Sequence, residues 1–477
     1  MKVIFASAEC YPVAKVGGLA DVVGSLPKYL MRQNVLTSVV MPGYHMPWFE
    51  GKTYRVVHYG HYHLTNETIH FEVRYYVDDP LGFPFYAIHI PGKFDRFGVY
   101  AGSDGIFFGD EVERLIAFQR CLLMWLRDNP DYRPDVMHCH DHHTGLIPFM
   151  MQYAYEFDSL KHIPSVFTIH NERYQGSFGW TKKYLLPDFD SWKSGLLDWN
   201  NRINPLASAV KVAYRITTVS PNYMQELMSH AFGLETLFRQ EQWKCRGILN
   251  GIDHEVWDPA RDPMIGSHYS GDVLNYKREN KILLCKKANL NPDLLLFGFI
   301  GRLVHEKGAE FIAGIIDNWM TYHHRSANFI ILGTGEKDIE SALFHVAQKY
   351  PENVGAMLAY DEALAHQIYA SADFLLMPSR VEPCGLNQLF AMRYGTLPIV
   401  RSVGGLVDTV TDIAQPGGVG IRIDHMQFSA LVNGVWRASE FYRNTDQYIA
   451  AVQRAMELDF SWNQAAGQYV ETYRSVL

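Results

Sequence analysis

Short, continuous apolar runs separated by helical patterns recur along this chain, and the series begins a second time past the middle. The first series includes KVIFAS, TSVVMP, DVMHCH, SVFTIH and RITTVS, and the second includes LLFGFIGR, ANFIILGTG, DFLLMPS and LPIVRS. Continuous apolar runs are typical of strands buried on both faces. Strand–helix–strand order predicts parallel sheets with crossover helices. We therefore expect an α/β fold with two Rossmann-like, doubly wound parallel sheets.

The turn-rich segment KCRGILNGIDHEVWDPARDP separates the two series. A chain of 477 residues is also too long for one ordinary core. The sequence therefore predicts an N-terminal domain over residues 1–244 and a C-terminal domain over residues 245–455.

Two further segments stand out from this pattern. Residues 456–477 are helical and rich in aromatic side chains, and no strand follows them, so they are expected to cover a domain that is already built. Residues 55–90 alternate between apolar and polar, which predicts an antiparallel insertion at one sheet edge.

Charge and cysteine content narrow the class of protein. The net charge of −8 argues against a general nucleic-acid binder. No apolar run approaches the ~20 residues of a membrane helix, and the start MKVIFASAE lacks the features of a secretory signal. Six scattered cysteines without C-x-x-C are typical of reduced thiols. We expect a cytoplasmic protein with neither nucleic-acid nor membrane partners.

The motif V-G-G-L-x-D-x-V occurs at residues 16–23 and again at residues 403–410, each time between a predicted strand and a helix. A glycine pair lets the backbone approach a ligand without an intervening Cβ, and a helix N-terminus attracts anions. Lys15 adds a cation to the first copy, and Pro27 is expected to bend or interrupt the helix that follows. Two sheets with facing carboxyl edges would bring both turns to one cleft. The alternative is a helix-starting turn without a ligand.

Two later motifs carry charges at strand ends. In GRLVHEKG, Arg302 and Lys307 suit a diphosphate, the alternative being a solvated basic pair. In PSRVEPCGLNQ, Glu382 suits sugar hydroxyls or a developing positive charge, the alternative being a helix N-terminal charge. Cys384 is interpreted as a small packing residue rather than a nucleophile.

Histidines cluster at the ends of two other strands. HCHDHHTG, residues 138–145, matches none of the common zinc motifs, so metal binding is disfavoured. Asp141 is expected to cap the next helix or to hold a polar substrate group. His170 and Asn171 end the strand in TIHN, where a structural histidine is the alternative to a site residue.

Taken together, several motifs in their order and spacing resemble the bacterial glycogen synthases and plant starch synthases, glycosyltransferase family 5. They are KVGGLADVVGSLP, HCHDHHTGL, FTIHN, TTVSPNY, GILNGID, GRLVHEKG, PSRVEPCGLNQ and YGTLPIVRSVGGLVDTV. The resemblance covers the whole chain. It implies a GT-B fold, with two Rossmann-like domains facing a central cleft and a last helix returning to the first domain. It also implies transfer of glucose from ADP-glucose, or UDP-glucose in some members, to the non-reducing end of an α-1,4-glucan with retention of configuration.

The resemblance assigns roles to individual residues, with the acceptor on the first domain and the donor on the second. The implied catalytic residues are Lys15, Asp141, His170, Arg302, Lys307 and Glu382. The implied substrate-binding residues further include Gly17, Gly18, Asp21, Asn171, Tyr360, Cys384, Gly385 and Leu386. The chain departs from the family at His142, usually Trp, and at Asn387, usually Thr. Phe390 stands where sucrose-phosphate synthases carry a second Glu.

The expected chemistry is charge neutralisation on a leaving diphosphate. Preorganised cations and N–H groups are each worth roughly 10²–10³ in rate. Lys15, Arg302 and Lys307 with the helix ends therefore predict a reaction that needs no metal and no other cofactor. Retention normally indicates a nucleophilic carboxylate, and none is evident, so the resemblance favours front-side attack. The alternatives are another donor or acceptor on the same fold, or a non-catalytic nucleotide-sugar or glucan-binding protein.

Overall fold

The computed structural model describes residues 1–65, 67–77, 81–102 and 105–477, and it divides into two compact units. The first unit comprises Met1–Asn250 together with Trp462–Leu477, and the second comprises Gly251–Ser461. Each unit is an α/β unit built on its own mainly parallel sheet, which confirms the predicted fold class.

The first unit is built on a sheet of nine strands in the order β11-β10-β7-β6-β1-β2-β5-β4-β3. Its elements are β1 (Lys2–Ala6), α1 (Gly18–Arg32), β2 (Leu36–Pro42), β3 (Tyr54–His63), β4 (Thr68–Tyr76), β5 (Phe85–His89), α2 (Glu111–Asp128), β6 (Val136–His140), α3 (Ile147–Tyr153), β7 (Ser165–Ile169), β8 (Asp198–Trp199), β9 (Arg202–Ile203), α4 (Pro205–Val212), β10 (Arg215–Thr218), α5 (Pro221–Leu227), α6 (Glu235–Glu241) and β11 (Cys245–Gly247). Strands β8 and β9 form a separate antiparallel pair.

The centre of this sheet is parallel and buried. Strands β6 and β7 are buried at every position, because helices cover both faces. The edge is different: β3 pairs antiparallel with β4, and β4 pairs antiparallel with β5, while β5 runs parallel to β2. The predicted antiparallel insertion at one edge is therefore confirmed, although Asn66 and residues 78–80 of that stretch lie outside the described residues.

The prediction that Pro27 bends or interrupts α1 is wrong as regards interruption, since the helix runs from Gly18 to Arg32 with Pro27 inside it. Proline removes one backbone donor and costs roughly 3 kcal/mol in a helix interior. Burial of the face around Pro27, which includes Leu26 and Leu30, offsets that cost. Tertiary packing here outweighs local propensity.

The second unit has six strands in the order β14-β13-β12-β15-β16-β17, and every described pair is parallel. Its elements are α7 (Val273–Ala288), β12 (Leu295–Ile300), α8 (Glu310–Tyr322), β13 (Ala327–Leu332), α9 (Lys337–Lys349), β14 (Val354–Met357), α10 (Glu362–Ser371), β15 (Phe374–Met377), α11 (Asn387–Arg393), β16 (Leu397–Arg401), α12 (Gly405–Thr409), β17 (Ile421–Ile423), α13 (Phe428–Arg443) and α14 (Thr445–Glu457). The apolar faces of strands and helices meet in a core that includes Phe297, Trp319 and Phe374.

Short 3-10 helices connect many of these elements. They span Pro47–Phe49, Pro130–Tyr132, His142–Thr144, Tyr155–Leu160, Trp180–Leu185, Ser191–Leu196, Gln242–Lys244 and His305–Lys307. Two of them follow strand ends that carry predicted site residues.

The last helix, α15 (Trp462–Arg474), belongs to the first unit. The Tyr473 hydroxyl is 2.8 Å from Nδ1 of the buried His138 on β6, and Gln33 donates from Nε2 to the Asn463 carbonyl at 3.0 Å. The C-terminal segment thus covers the sheet of the first unit. No helix in the described ranges combines the length and apolar character needed to cross a membrane.

Candidate active site

Predicted site residues of the first unit follow three neighbouring strands, β1, β6 and β7. The first glycine turn comes after β1, Asp141 directly follows β6, and His170 and Asn171 directly follow β7. Because these strands are parallel neighbours, their carboxyl ends lie at one edge of the sheet, where α/β units bind ligands.

The first glycine turn is held in place by a buried carboxylate. Glu9 Oε2 accepts the N–H groups of Val16 at 2.6 Å and Gly17 at 2.9 Å, and Glu9 Oε1 accepts the Tyr100 hydroxyl at 2.7 Å. Burial raises the pKa of Glu9, while these hydrogen bonds act to lower it. The turn is therefore fixed where α1 begins at Gly18 and where the first helical N–H groups lack intrahelical partners.

Nothing in the described protein requires glycine at this turn. A Cβ built on Gly17 or Gly18 would meet no atom within 4 Å. The φ of Gly17 is −142°, extended backbone that any residue adopts. Lys15 Nζ donates to Asp21 Oδ1 at 2.7 Å, so the predicted cation is placed beside the turn and the first turn of α1. The arrangement leaves space for a ligand at a helix N-terminus.

Asp141 has a strained backbone and a buried carboxylate. Its φ of 55° and ψ of 178° lie in a region that costs a non-glycine residue on the order of 1–3 kcal/mol. Its Oδ1 accepts the His170 N–H at 2.7 Å, and its side chain does not cap the following 3-10 helix, so the capping expectation is wrong. Burial raises the pKa of Asp141 to about 7, against the lowering effect of the backbone hydrogen bonds from His170 and Asn171.

His170 is a buried, neutral imidazole. Its Nε2 is 3.0 Å from His140 Nδ1, and burial lowers its pKa to about 3. Asn171 is half-buried, and its Oδ1 accepts the Arg173 N–H at 3.0 Å. The structure thus brings Asp141, His170 and Asn171 together at one strand edge.

In the second unit, Lys307 and Glu382 form an ion pair. Lys307 Nζ is 2.7 Å from Glu382 Oε1 and 2.8 Å from Oε2, and Ser379 Oγ donates to Oε2 at 2.9 Å. Glu382 is 7% exposed. The two residues follow β12 and β15, which are neighbours in the sheet. Glu382 is therefore a paired, oriented carboxylate rather than a helix N-terminal charge.

Arg302 is placed differently from Lys307. Its side chain is 58% exposed, and its guanidinium lies 3.6 Å from Glu306 Oε1. Of the two cations predicted to act together, Lys307 is engaged with Glu382 and Arg302 faces solvent.

The second glycine turn packs against the loop that carries Glu382. Gly404 has a φ of 48°, and a Cβ there would overlap the Glu382 carbonyl oxygen. A Cβ at Gly405 would overlap the Cys384 carbonyl, and the Gly405 N–H donates to the carbonyls of Glu382 at 3.1 Å and Pro383 at 3.2 Å. Close packing against the backbone of residues 382–384 explains both glycines of this turn. Direct approach to a ligand is not required to explain them.

The remaining predicted residues of the second unit divide into two places. Cys384 is buried and Gly385 has a φ of 73°, a conformation that favours glycine, while Leu386 is the N-cap of α11. They follow Glu382 in one loop, and the burial of Cys384 agrees with a packing role. Tyr360 is 76% exposed and follows the edge strand β14, which β13 separates from β12.

Sequence reasoning missed four residues of this arrangement. Glu9, Tyr100, His140 and Ser379 orient the first glycine turn, His170 and Glu382. Glu9 carried a signal, since a carboxylate closely follows the end of a buried strand. Tyr100 lies outside every motif, and only the fold brings it to Glu9.

Two family models match the chain. Residues 2–240 match the model described as the starch synthase catalytic domain, and residues 295–437 match the model described as glycosyl transferases group 1.

Full-length relatives agree with the family models. A glycogen synthase of Flavobacterium johnsoniae is 44% identical over 478 residues, covering 100% of this chain and 99% of the relative. A glycogen synthase of Lactobacillus acidophilus is 35% identical and covers 100% of both chains. The solved catalytic domain of starch synthase IV from Arabidopsis thaliana, bound to ADP and acarbose, superposes with a TM-score of 0.88 at 30% identity, covering 100% of this chain and 99% of the other.

Proposed function

This chain belongs to the family of glycogen and starch synthases, glycosyltransferases of the GT-B fold, and we propose from that premise how its residues carry out the reaction. The reaction is transfer of glucose from a nucleotide sugar to an α-1,4-glucan with retention of configuration. We propose ADP-glucose as the donor and the non-reducing glucan end as the acceptor, with the donor on the second unit and the acceptor on the first. The plant relative is bound to ADP and acarbose, which supports a nucleotide and a glucan as ligands.

The paired Lys307 and Glu382 carry this proposal. The Lys307 ammonium group donates hydrogen bonds to both oxygens of the Glu382 carboxylate. The two residues follow neighbouring parallel strands at their carboxyl ends, where ligands bind, so the ion pair orients both groups for a ligand. Glu382 then faces the transferred glucose and stabilises its developing positive charge. When the diphosphate binds, its oxygens compete with Glu382 for the N–H groups of Lys307, so Lys307 shares its hydrogen bonds between the two.

By their motifs, Arg302 and Lys15 beside the first glycine turn are further assigned to the diphosphate. Arg302 is exposed and offers a planar fork of N–H groups to phosphate oxygens. Lys15 adds a cation, and the N-terminus of α1 adds the positive end of a helix dipole, beside the open space at Gly17 and Gly18. Charge on the leaving diphosphate is thus neutralised by side chains and helix amides, without a metal ion.

His170 and Asp141 position the sugar rather than attack it. A neutral imidazole donates or accepts a hydrogen bond at a sugar hydroxyl, and the low pKa of His170 keeps it neutral across the working range of pH. Asn171, Tyr360, Cys384, Gly385 and Leu386 are assigned to substrate contacts by their motifs. Front-side attack follows, with the departing phosphate taking the proton of the acceptor hydroxyl.

We propose a cytoplasmic location, which rests on six scattered cysteines without a C-x-x-C pair. Neither a membrane nor a nucleic acid is proposed as a partner.

Initial rates with ADP-glucose and with UDP-glucose, at equal concentration and with glycogen as acceptor, test the proposal. The expected result is faster transfer from ADP-glucose. Faster transfer from UDP-glucose would correct the donor, and failure of both donors would favour a non-catalytic binding protein.

Arg302→Ala should lower kcat/KM on the order of 10²-fold without changing stability. Near-normal transfer by that variant would remove Arg302 from the diphosphate site.

A further inference from the structure

Two buried imidazoles lie beside a carboxylate in the first unit, apart from the groups assigned to transfer. His142 and His143 form the 3-10 turn after Asp141, and Glu111 is the first residue of α2. One ligand atom from each of the three residues lies within 4.8 Å of the other two. His142 Nε2 is 4.0 Å from Glu111 Oε1, a distance too long for a hydrogen bond.

The two imidazoles carry polar atoms without protein partners. His142 and His143 are each 7% exposed, and their ring centroids are 3.8 Å apart. The Nδ1 atom of each ring is buried and accepts or donates no hydrogen bond within the part of the chain that the structure describes. Buried polar atoms of native proteins are nearly always satisfied. The unsatisfied Nδ1 atoms show that, within the described ranges, protein hydrogen bonds do not hold the two rings at that atom, and His142 presents its other nitrogen, Nε2, toward Glu111.

We propose that Glu111, His142 and His143 bind a divalent transition-metal ion of the zinc type. Two imidazoles and one carboxylate are the protein ligands of zinc sites that keep a water molecule in the fourth position. Magnesium and calcium take oxygen ligands and fit this donor set poorly. The motif HCHDHHTG matches none of the common zinc motifs, and in the fold the carboxylate beside His142 and His143 comes from α2.

The surroundings hold the imidazoles in position. Gly176 has a φ of 68°, and a Cβ there would overlap the His142 ring, so the chain closes tightly over this side chain. The His143 ring stacks on Tyr100 at 4.8 Å between centroids. The Glu111 side chain is 42% exposed, so it can adjust and leaves the ion a path from solvent. Two fixed ligands and one adjustable ligand make a preorganised site.

Two other groupings that contain histidine serve as controls, because their side chains are exposed. One comprises His305, Glu336 and Asp338, with exposed side chains, and His305 is already 3.4 Å from Glu336 and 3.4 Å from Glu310. The other comprises the exposed His61, His63 and His70 on β3 and β4, whose rings lie 5.4 and 5.7 Å apart.

The test titrates metal-free, full-length protein with Zn²⁺ alone by calorimetry, and with Co²⁺ by visible absorption. Wild type should bind one tight equivalent of Zn²⁺. Glu111→Gln and His142→Trp should each weaken the affinity by roughly 10²-fold or more, since loss of even an outer partner costs 10–100-fold. The matched controls Asp338→Asn and His63→Ala should keep the wild-type affinity. The metal-free protein should retain glucosyl transfer, because the ion takes no part in that reaction.

Unchanged Zn²⁺ affinity in Glu111→Gln would overturn the site, as would loss of the tight equivalent in either control variant. Absence of a tight equivalent in wild type would overturn it as well. Should His142→Trp fail to fold, Glu111→Gln decides, since it alters only a half-exposed side chain. Loss of transfer on metal removal would contradict the metal-free reaction and is a separate result from the binding measurement.

Discussion

The two V-G-G-L-x-D-x-V turns share a sequence and owe their glycines to different causes. At the first turn, a Cβ on Gly17 or Gly18 would meet nothing within 4 Å. At the second, a Cβ on Gly404 or Gly405 would overlap the backbone of Glu382 or Cys384. The first pair keeps space open above a helix N-terminus, and the second lets two loops pack against each other.

A repeated motif therefore does not imply a repeated role. The second turn supports the loop that carries Glu382, because the Gly405 N–H donates to the carbonyls of Glu382 and Pro383. In the proposed function it acts on the reaction through that carboxylate. In the proposed function the first turn acts directly, through the open space at Gly17 and Gly18 and the cation of Lys15 beside it. Three experiments test this contrast, and a fourth measures the pH dependence of stability in the second unit.

The largest effect is expected from Glu382→Gln, which removes the charge that the second turn holds in place. We expect kcat to fall on the order of 10³-fold, about 4 kcal/mol, with little change in stability, since the amide keeps the size and one acceptor. Steady-state rates with ADP-glucose and glycogen measure it. Glu336→Gln, an exposed carboxylate of the same unit, should keep wild-type rates. A fall of less than tenfold for Glu382→Gln would separate the second turn from catalysis.

Gly405→Ala should destabilise the second unit by roughly 3 kcal/mol or more, because its methyl group has no room beside Cys384. The denaturant midpoint of the second unit measures it. Gly355→Ala is the matched control, as a Cβ there makes only ordinary contacts at 3.6–3.9 Å. An unchanged midpoint for Gly405→Ala would show that the loop yields, and the contrast between the turns would then fail.

Gly17→Ala, at the first turn, should leave stability unchanged and lower activity. The methyl group enters open space, so the free energy of unfolding should stay within about 0.5 kcal/mol of the wild-type value. The same methyl group obstructs a phosphate, so kcat/KM for the donor should fall on the order of 10²-fold. Gly195→Ala, also in open space, should change neither quantity. Normal kcat/KM in Gly17→Ala would place the donor elsewhere.

The smallest expected effect is a pH dependence of the stability of the second unit. Lys277 in the second unit is buried and donates to the Ala372 carbonyl at 2.7 Å and to Thr396 Oγ1 at 2.8 Å. Burial lowers the pKa of Lys277 to about 7, with Asp373 raising it and Lys281 lowering it. The unfolded chain, with a lysine pKa near 10.4, then binds more protons above pH 7, so stability rises with pH.

The rise attributable to Lys277 should be about 1 kcal/mol between pH 7 and pH 8. Urea midpoints at the two pH values measure it for the transition of the second unit. Lys277→Met should lose this rise even if the variant is less stable throughout. An equal rise in the variant would assign the pH dependence to other groups.

Much of the architecture could be predicted because it depends on local pattern. Buried runs such as VFTI and FLLM predicted parallel strands, and the alternating segment at residues 55–90 predicted the antiparallel edge. The uninterrupted α1 could not be predicted, since burial around Pro27 decides it. The pairing of Lys307 with Glu382 could not be predicted either, because 75 residues separate them in sequence.

Local sequence patterns are enough to define the fold class, the family and the strand ends at which the candidate site residues lie, because apolar periodicity and short motifs are local properties of the chain. Tertiary structure alone decided which glycine turn stays open, which cation is neutralised, and which carboxylate meets His142 and His143. Those outcomes depend on contacts between residues distant in sequence, and such contacts are set by the packing of whole elements rather than by any one segment.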